Sequence, residues 1–348
     1  MTRPPLRTVI VGFGRIAAGY QDDPLMARYF PHASHAQTLR AHSGFELVAA
    51  VDPAPAARQA AAEVWRIPHV AARVEELPGD LGIAVAVMTQ PAASRPAALD
   101  ALPALRAVML EKPLGDDGQR FLALCGRRGI EVQVNYWRRG VADFAQLAEG
   151  GLLAAIGHAQ AAFATYGNGL ANNGSHLVDF LRWLLGEVVS AQATGPVRSA
   201  PHLPLAGDVD LPFCLTHAGG AQSSVQPLDF RAYREVGVDL WGETARLQIV
   251  QESLLGLRST IADNRALQAE REIASDRMER LDFDVGQALI RLYDNLADAL
   301  DKAVPLLSDG DNAWRTEAVL QAILASAAAG GRAVSPAAVA PATRRVPA

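Results

Sequence analysis

The sequence contains few cysteines: Cys125 and Cys214 are the only two among its 348 residues. Two cysteines exclude a framework of disulfide bonds and a zinc site rich in cysteine. No apolar run approaches the ~18 residues that a membrane-spanning helix needs. The first residues enter a strand and a turn directly, without the pattern of a signal peptide, so we expect a cytoplasmic protein.

Basic residues are not in excess either. The chain has 32 Lys and Arg against 37 Asp and Glu, which gives a net charge of -5. Nucleic-acid-binding proteins usually carry a basic stripe, so we predict neither a nucleic-acid nor a membrane partner, and no metal site. The length predicts about two domains.

The first part of the chain alternates short apolar strands with helical patterns, which is typical of a parallel βαβ sheet and an α/β fold. After about Gly118 several strands follow one another with few helices between them, which indicates an antiparallel or mixed sheet. We therefore predict a dinucleotide-binding Rossmann domain in residues 1–118 and a substrate and oligomerisation domain in residues 119–334. Residues 335–348, with three prolines and no apolar period, are predicted to be a disordered tail.

A glycine-rich pattern, Gly12-x-Gly14-x-x-Ala17, comes directly after the first predicted strand. Gly12 permits a tight turn, and Gly14 lets the backbone approach a pyrophosphate, which then lies over the N–H groups of Arg15 and Ile16. Asp52, at the end of the second strand, is placed to accept hydrogen bonds from an adenosine ribose. Because a carboxylate disfavours a 2′-phosphate, we expect NAD rather than NADP. The alternative is that Asp52 only starts a turn before Pro53.

The spacing departs from the simple pattern, because Asp52 follows Gly12 by 40 positions instead of ~20. The segment Gly19–Ala33, rich in Asp, Pro and aromatic residues, has the character of an insertion. We expect it near the cofactor, either as part of the active-site mouth or as a decorated surface loop.

Three motifs in this order resemble the glucose-fructose oxidoreductase / inositol dehydrogenase / rhizopine-catabolism (Gfo/Idh/MocA) family. They are the glycine turn at residues 12–17, the tripeptide Glu111-Lys112-Pro113 after a strand, and the run from Asn173 to Asp179. The resemblance implies a Rossmann domain followed by an α/β domain with a large open, mostly antiparallel sheet. That sheet would cover the active site and build the interface of a homodimer or homotetramer. Family members oxidise or reduce a carbinol carbon of a sugar, nucleotide sugar or cyclitol with NAD(P).

The resemblance also assigns catalytic residues. Lys112 would take or give the hydroxyl proton, and His176 would act as its acid–base partner. The family pattern has an Asp four residues before this His, where the chain has Asn172. A neutral amide can bind substrate but cannot stabilise an imidazolium as a carboxylate does. Without the resemblance, Lys112 is interpreted as a surface lysine before a turn and His176 as a core histidine.

Further residues are assigned to cofactor and substrate by the same resemblance. Thr89, Gln90 and Pro91 resemble the loop beneath the nicotinamide, and Glu111 with Lys112 follows the next strand. The family's His after this loop is replaced by Arg95, which could approach a phosphate or the domain interface. The residues that would reach the substrate are Arg138, Tyr166, Asn168, Asn172 and His176.

The sequence thus predicts an NAD-dependent dehydrogenase or reductase acting on CH–OH groups. Nucleotide-activated or phosphorylated sugars are the favoured substrates. Two alternatives stay open. One is NAD-dependent glycoside hydrolysis, in which a transient oxidation drives elimination. The other is a non-catalytic NAD-binding sensor with the same fold. The substrate, the direction of reaction and the oligomer count do not follow from the sequence.

Overall fold

The structure is a computed structural model that describes residues 4–20, 23–199 and 203–339. It divides into two compact units. Unit 1 comprises Met1–Val141 and Val285–Trp314, and unit 2 comprises Ala142–Asp284 and Arg315–Ala348.

Unit 1 is built on a six-stranded sheet in which all strands are parallel and lie in the order β3-β2-β1-β4-β5-β6. This order reverses direction between β1 and β4, and ligands of such sheets bind at the carboxyl ends of the strands near that reversal. In chain order the elements are β1 (Leu6–Val11), α1 (Arg15–Ala18), α2 (Pro24–Tyr29), α3 (His35–Ala41), β2 (Phe45–Val51), α4 (Pro55–Glu63), β3 (His69–Ala71), β4 (Val85–Met88), α5 (Arg95–Asp100), β5 (Ala107–Leu110), α6 (Gly118–Arg127) and β6 (Glu131–Val134).

The central strands of this sheet are continuous apolar runs because helices cover both of their faces. All four residues of β4 and all four of β5 are buried. Helix α3 begins after Ser34, a residue type that is preferred as a helix N-cap. The Ser34 hydroxyl accepts from the backbone of Gln37 while the Gln37 side chain accepts from the backbone of Ser34, which forms a capping box.

Unit 2 carries a nine-stranded sheet in the order β16-β15-β14-β13-β7-β12-β11-β8, with β17 paired to β15. Only β7 and β12 pair in parallel within this order, and the other neighbours are antiparallel. The elements of unit 2 between residues 142 and 284 are α7 (Ala142–Gln146), α8 (Leu152–Ile156), β7 (Ala159–Tyr166), α9 (Ser175–Leu185), β8 (Val188–Ala193), β9 (Arg198–Ser199), β10 (Val209–Asp210), β11 (Phe213–His217), β12 (Gln222–Pro227), β13 (Val238–Gly242), β14 (Ala245–Val250), β15 (Leu255–Asp263), β16 (Arg271–Ile273) and β17 (Glu279–Asp282). Strands β9 and β10 pair with each other in a separate two-stranded sheet.

The two faces of the large sheet differ in burial. On one face, residues such as Ala162, Leu240 and Leu247 are buried. On the other face Phe163 is 53% exposed although it lies on β7, in the middle of the sheet. This alternation has the period of two residues that a sheet with one open face produces.

Three helices close the chain: α10 (Ala288–Lys302), α11 (Gly310–Ala328) and α12 (Pro336–Val339). The division between the units falls within α11, after Trp314. In unit 2, Val334 and Ala191 exchange backbone hydrogen bonds of 2.9 Å in both directions, which ties the segment before α12 to β8.

The predicted fold class is confirmed, with a parallel Rossmann sheet and a separate mixed, mostly antiparallel sheet. The domain bounds differ from those predicted. The first unit extends past residue 118 to Val141 because β6 pairs in parallel with β5, and α10 returns to it later in the chain. Residues 336–339 are helical where the sequence predicts a disordered tail, and residues 340–348 lie outside the described part.

Candidate cofactor and active site

The glycine turn after β1 lies against the loop after β4. Gly12 has a φ of +88°, and a Cβ at this position would lie 2.7 Å from Thr89 Oγ1 and 2.8 Å from the Gln90 backbone nitrogen. The Thr89 hydroxyl donates to the carbonyl of Gly12 at 2.6 Å. Only glycine therefore fits here, and the structure brings together two parts of the cofactor prediction that are 77 residues apart.

The carboxylate of Asp52 also belongs to this cluster. One of its oxygens accepts from the backbone N–H of Phe13 at 2.7 Å, and the other accepts from the N–H of Ala54 at 2.8 Å. Asp52 thus does start the turn before α4, as the alternative interpretation holds. It also lies on the glycine turn, where each carboxylate oxygen keeps a further acceptor site for a ribose hydroxyl.

Two observations of unit 1 test whether a dinucleotide fits this edge of the sheet. A Cβ on Gly14 would meet no atom within 4 Å, so the exposed backbone there is open to a ligand. Both amide atoms of Gln90 are buried and have no hydrogen-bond partner among the described residues. Buried amides are nearly always paired, so an amide without a partner at this place fits a bound polar ligand. The residues present are therefore compatible with NAD.

The insertion begins next to the same turn. The guanidinium of Arg15, an exposed residue at the start of α1, stacks on the ring of Tyr20 at 5.1 Å. The insertion then forms α2, whose first N–H groups are capped by the side chain of Asp23. In unit 1 a Cβ on Gly286 would lie only 2.6 Å from the carbonyl oxygen of Tyr29. The insertion therefore packs tightly against the residues just before α10.

The loop from Glu111 to Leu114 is held by Arg95. Its guanidinium donates to the carbonyls of Glu111 at 2.7 Å, Pro113 at 2.9 Å and Leu114 at 3.3 Å. Arg95 is only 3% exposed. These contacts correct the expectation that Arg95 approaches a phosphate, because its side chain is used inside unit 1 to shape the loop that carries Lys112.

The side chain of Glu111 is buried in a polar cluster rather than turned towards a cofactor. One carboxylate oxygen lies 3.0 Å from His35 Nε2 and 2.6 Å from Asn135 Nδ2. Burial raises the pKa of this carboxyl. The hydrogen bond and charge of His35, the charge of Lys112 and the Asn135 amide outweigh burial and lower the pKa below its usual value. Glu111 is therefore ionised beside Lys112.

Lys112 itself is partly buried and follows β5 at its carboxyl end. It is one of only two lysines in the chain, the other being Lys302, whereas arginine occurs thirty times. An arginine stays charged at all physiological pH values, but a lysine amine can lose its proton. The choice of lysine at position 112 thus agrees with a role in proton transfer. This compositional signal was available in the sequence and was not used.

Arg138 lies in a 3₁₀ turn, Trp137–Gly140, shortly after β6. It is 4% exposed, and its guanidinium stacks on the ring of Trp137 at 4.5 Å. The residue thus follows the carboxyl end of β6, and it is buried and stacked within unit 1.

The predicted residues of unit 2 gather at the start of α9. His176 lies in the first turn of that helix, and Asn172 lies in the π turn Leu170–Gly174 that leads into it. The side-chain nitrogen of Asn172 donates to the carbonyl of Asn168 at 3.1 Å. Asn168 has a φ of +59°, a conformation that asparagine tolerates better than most residues. The structure therefore groups these three residues on one short segment.

Two carboxylates that the sequence analysis missed anchor this segment. Asp208 accepts from the N–H groups of Ala171 at 2.9 Å and Asn172 at 3.0 Å, and Asp210 accepts from Gly169 at 3.0 Å. Acceptors of this kind stabilise the N-terminus of a helical segment. No local pattern reveals them, since 36 to 41 residues separate each acid from its partners.

Tyr166 does not offer its hydroxyl to a substrate. The side chain is fully buried, its O–H donates to the carbonyl of Leu211 at 2.9 Å, and its oxygen accepts from the Leu211 N–H at 3.0 Å. Burial raises the pKa of Tyr166 well above its usual value. The contacts favour a structural role, in which Tyr166 ties β7 to the segment before β11.

Comparison with known proteins identifies unit 1. Residues 6–136 match the family model described as GFO_IDH_MocA, "Oxidoreductase family, NAD-binding Rossmann fold". These residues belong to the Gfo/Idh/MocA oxidoreductases. The match confirms the predicted family, the enzyme class at the level of an NAD-binding oxidoreductase, and NAD as cofactor. No curated protein matches the chain.

Solved structures share the fold over nearly the whole length of the chain. An oxidoreductase from Agrobacterium radiobacter, in complex with NAD+, L-tartaric acid and magnesium, has a TM-score of 0.72 and 17% identity over 96% of this chain and 99% of its own. The WlbA dehydrogenase from Bordetella pertussis, in complex with NADH and UDP-GlcNAcA, has a TM-score of 0.68 and 19% identity over 95% and 98%. A putative myo-inositol dehydrogenase from Sinorhizobium meliloti has a TM-score of 0.66 and 19% identity over 95% and 99%.

The described residues hold neither a membrane-spanning helix nor a cluster of metal ligands. None of their helices is both long and apolar enough to cross a membrane. Across residues 4–20, 23–199 and 203–339, no group of three His, Cys, Asp or Glu side chains could hold a metal ion.

Proposed function

We propose that the protein is an NAD-dependent dehydrogenase or reductase that acts on a carbinol or keto carbon of a sugar, a nucleotide sugar or a cyclitol. The observation that carries this proposal is the cluster at the carboxyl edge of the Rossmann sheet. There the glycine turn, Asp52 and the Gln90 amide form a fitting dinucleotide site, and the loop after the adjacent strand β5 carries the lysine Lys112.

The residues that would hold NAD follow from that cluster. The turn from Gly12 to Ile16 would bind the pyrophosphate with its N–H groups, and Asp52 would accept hydrogen bonds from the ribose. Thr89, Gln90 and Pro91 would lie under the nicotinamide. Bound NAD supplies the acceptor for the hydride that leaves the carbinol carbon.

Lys112 would handle the proton. In the oxidation, the hydroxyl proton passes to the Lys112 amine as the carbon–oxygen double bond forms, and in the reduction the same group returns it. His176 remains a proposed acid–base residue on the resemblance alone. Asn172 would position a substrate hydroxyl, and Asn168 would hold the Asn172 amide in place. Arg138 remains a proposed substrate contact from the resemblance alone.

A nucleotide sugar is the favoured substrate within this class. One support is the run Tyr166–His176, which resembles sequences associated with surface-polysaccharide or specialised sugar biosynthesis. The other is the shared fold with the WlbA dehydrogenase, which was crystallised with UDP-GlcNAcA. Inositol and a hydroxy acid belong in the same test, since they match a putative myo-inositol dehydrogenase and the tartaric-acid complex.

The test is a panel of sugars, UDP-sugars, cyclitols and tartaric acid, mixed with NAD and the protein and followed by NADH absorbance. The matched variants are Lys112→Ala and Lys302→Ala, which remove the two lysines one at a time. We expect NADH formation that survives Lys302→Ala and is lost in Lys112→Ala, with NAD affinity unchanged in both. Turnover that persists in Lys112→Ala would contradict the role of Lys112. Glycoside cleavage with tightly held NAD and no net NADH would contradict the dehydrogenase.

We also propose that the protein forms a homodimer or homotetramer through the open face of the unit 2 sheet. The support is Phe163, which is half-exposed at the centre of that face, and the neighbouring Trp241, on which the Arg246 guanidinium stacks at 4.5 Å. Exposed aromatic residues in a contiguous patch are typical of interfaces. Light scattering should give a multiple of 36.9 kDa for the wild type and a smaller species for Phe163→Asp. A monomeric wild type would refute the proposal.

A further inference from the structure

We propose that Tyr293, His35 and Glu111 form a buried hydrogen-bonded chain that holds the Glu111 carboxylate next to Lys112 in the same loop, where it supplies the counter-charge of the Lys112 amine. The inference rests on the proposed function of Lys112. It assigns positioning roles to three residues, two of which, His35 and Tyr293, are 258 positions apart in the sequence.

The chain is continuous in the structure of unit 1. The Tyr293 hydroxyl on α10 lies 2.7 Å from His35 Nδ1, and His35 Nε2 on α3 lies 3.0 Å from the Glu111 carboxylate. Tyr293 and His35 are fully buried, and Glu111 is 7% exposed. Each contact is within hydrogen-bonding distance, so the residues form a connected network from the core to the loop that carries Lys112.

The protonation pattern of the chain follows from its acceptor. Ionised Glu111 can only accept hydrogen bonds, so the proton of His35 lies on Nε2. Burial, and then the charge of Glu111, raise the pKa of Tyr293 well above its usual value, so this hydroxyl keeps its proton in its contact with His35 Nδ1.

Other groups around Glu111 are consistent with a fixed negative charge. The Asn135 amide donates to the same carboxylate oxygen at 2.6 Å, and Arg95 donates to the Glu111 backbone carbonyl at 2.7 Å. Lys112 acts on the carboxylate through its charge. A fully buried carboxylate is costly unless it is paired. The hydrogen bonds from His35 and Asn135 to this carboxylate are explained if its charge serves the adjacent amine.

The expected consequence is electrostatic. A negative charge close to an ammonium favours the charged form, typically by 1–3 pH units in a buried site. Removal of the Glu111 charge should therefore shift the titration of Lys112 to lower pH, whichever direction of the reaction Lys112 serves. Removal of the Tyr293 hydroxyl should shift it less, because Tyr293 acts only through His35.

The test uses the fact that the chain has two lysines. Reductive methylation with ¹³C-formaldehyde labels Lys112, Lys302 and the chain's own amino terminus, and NMR follows the pH titration of each signal, with Lys112→Arg used for assignment. We expect the Lys112 midpoint to fall by about one pH unit or more in Glu111→Gln. It should fall by a smaller amount in Tyr293→Phe and recover in part in Glu111→Asp, while Lys302 stays unchanged in all variants.

An unchanged Lys112 midpoint in folded Glu111→Gln would overturn the proposal, and an unchanged midpoint in Tyr293→Phe would remove Tyr293 from the chain. If Glu111→Gln does not fold, Tyr293→Phe and Glu111→Asp decide the question, since both keep the buried shape. In each variant the midpoint of the kcat–pH profile should differ from that of the wild-type enzyme by the same amount as the NMR midpoint, with KM little changed. The NMR result needs no turnover, so a protein without dehydrogenase activity would refute the proposed function and still test this chain.

Discussion

The carboxylate of Asp52 accepts a hydrogen bond of 2.7 Å from the backbone N–H of Phe13, between the two glycines of the dinucleotide turn. The end of β2 is thereby fastened to the end of β1, and the charge that we propose to discriminate against a 2′-phosphate is fixed in place. Asp52 also caps the turn before α4 through Ala54, which is one of the two roles that the sequence offers as alternatives, while ribose binding stays a prediction.

Replacement of Asp52 by Asn should lower the affinity for NAD relative to the affinity for NADP. Asn keeps one acceptor oxygen but removes the charge, so a hydrogen bond from the ribose to a charged group, worth about 1.5–3 kcal/mol, is weakened. We expect NAD affinity to fall about tenfold or more, while NADP affinity is unchanged or rises. Calorimetric titration with both cofactors measures this. Asp80→Asn, an exposed change before β4, is the control with the same charge difference. Equal losses for both cofactors would show that Asp52 does not face the ribose.

Replacement of Arg95 by Met should damage the loop of Lys112 more than the fold. Three carbonyls lose their donor, which costs roughly 3 kcal/mol or more in a buried site. Arg128→Met is the matched control, because Arg128 donates to the carbonyls of Leu99 and Leu102, which lie outside that loop. Both variants should melt at lower temperature, but only Arg95→Met should lose kcat at a temperature where both are folded. A normal kcat in folded Arg95→Met would mean that the loop keeps its shape without the clamp.

Asp208→Asn tests whether the turn before α9 must be held for the substrate. The amide keeps one acceptor and loses a charged hydrogen bond to the segment of Asn172, at a cost of about 2 kcal/mol. We expect kcat/KM to fall about tenfold, with NAD affinity unchanged, because Asp208 belongs to unit 2. The exposed change Asp276→Asn should have no effect. If Asp208→Asn lowers the melting temperature and leaves kcat/KM intact, the turn is structural only.

His217 should make the stability of unit 2 depend on pH. Its Nδ1 bonds to the Gly186 carbonyl at 2.8 Å and its Nε2 to the Ser223 hydroxyl at 2.7 Å. Burial lowers the pKa of His217 below its ordinary value of 6.5, so the folded state favours the neutral ring. The stability it contributes is present above pH 6.5 and is lost as the pH falls below that value.

Thermal unfolding of the wild type and of His217→Gln at pH 7.5 and pH 5.5 measures this contribution. We expect the wild type to be the more stable protein at pH 7.5 and the difference to shrink at pH 5.5. A difference that is constant with pH would contradict the buried neutral histidine.

Much of the fold was predictable because its signals are local. The buried run Phe45–Val51 and the alternating runs Ala159–Tyr166 and Ala245–Val250 predict the strands β2, β7 and β14 with the bounds that the structure has, since such patterns mark strands directly. The glycine turn was recognisable for the same reason. By contrast, β15 mixes polar and apolar residues, and the sequence analysis missed it.

The rest of the site depends on contacts between distant positions. His35 meets Tyr293 only when α3 and α10 pack on the same unit, and neither residue has a neighbouring motif. Arg95 resembles a replacement for a site histidine in the sequence, yet its guanidinium turns inward to the carbonyls of the Glu111–Leu114 loop. Such roles are set by packing, which the spacing of residues along one strand or helix does not encode.

The most direct measurement of the central claim is the fate of the hydrogen on the carbinol carbon. A panel substrate that gives NADH is prepared with deuterium at that carbon and incubated with NAD and the protein. The account predicts that NMR finds the deuterium at C4 of the nicotinamide and that Lys112→Ala abolishes its transfer. Deuterium that stays in the substrate or appears in water would contradict hydride transfer to NAD.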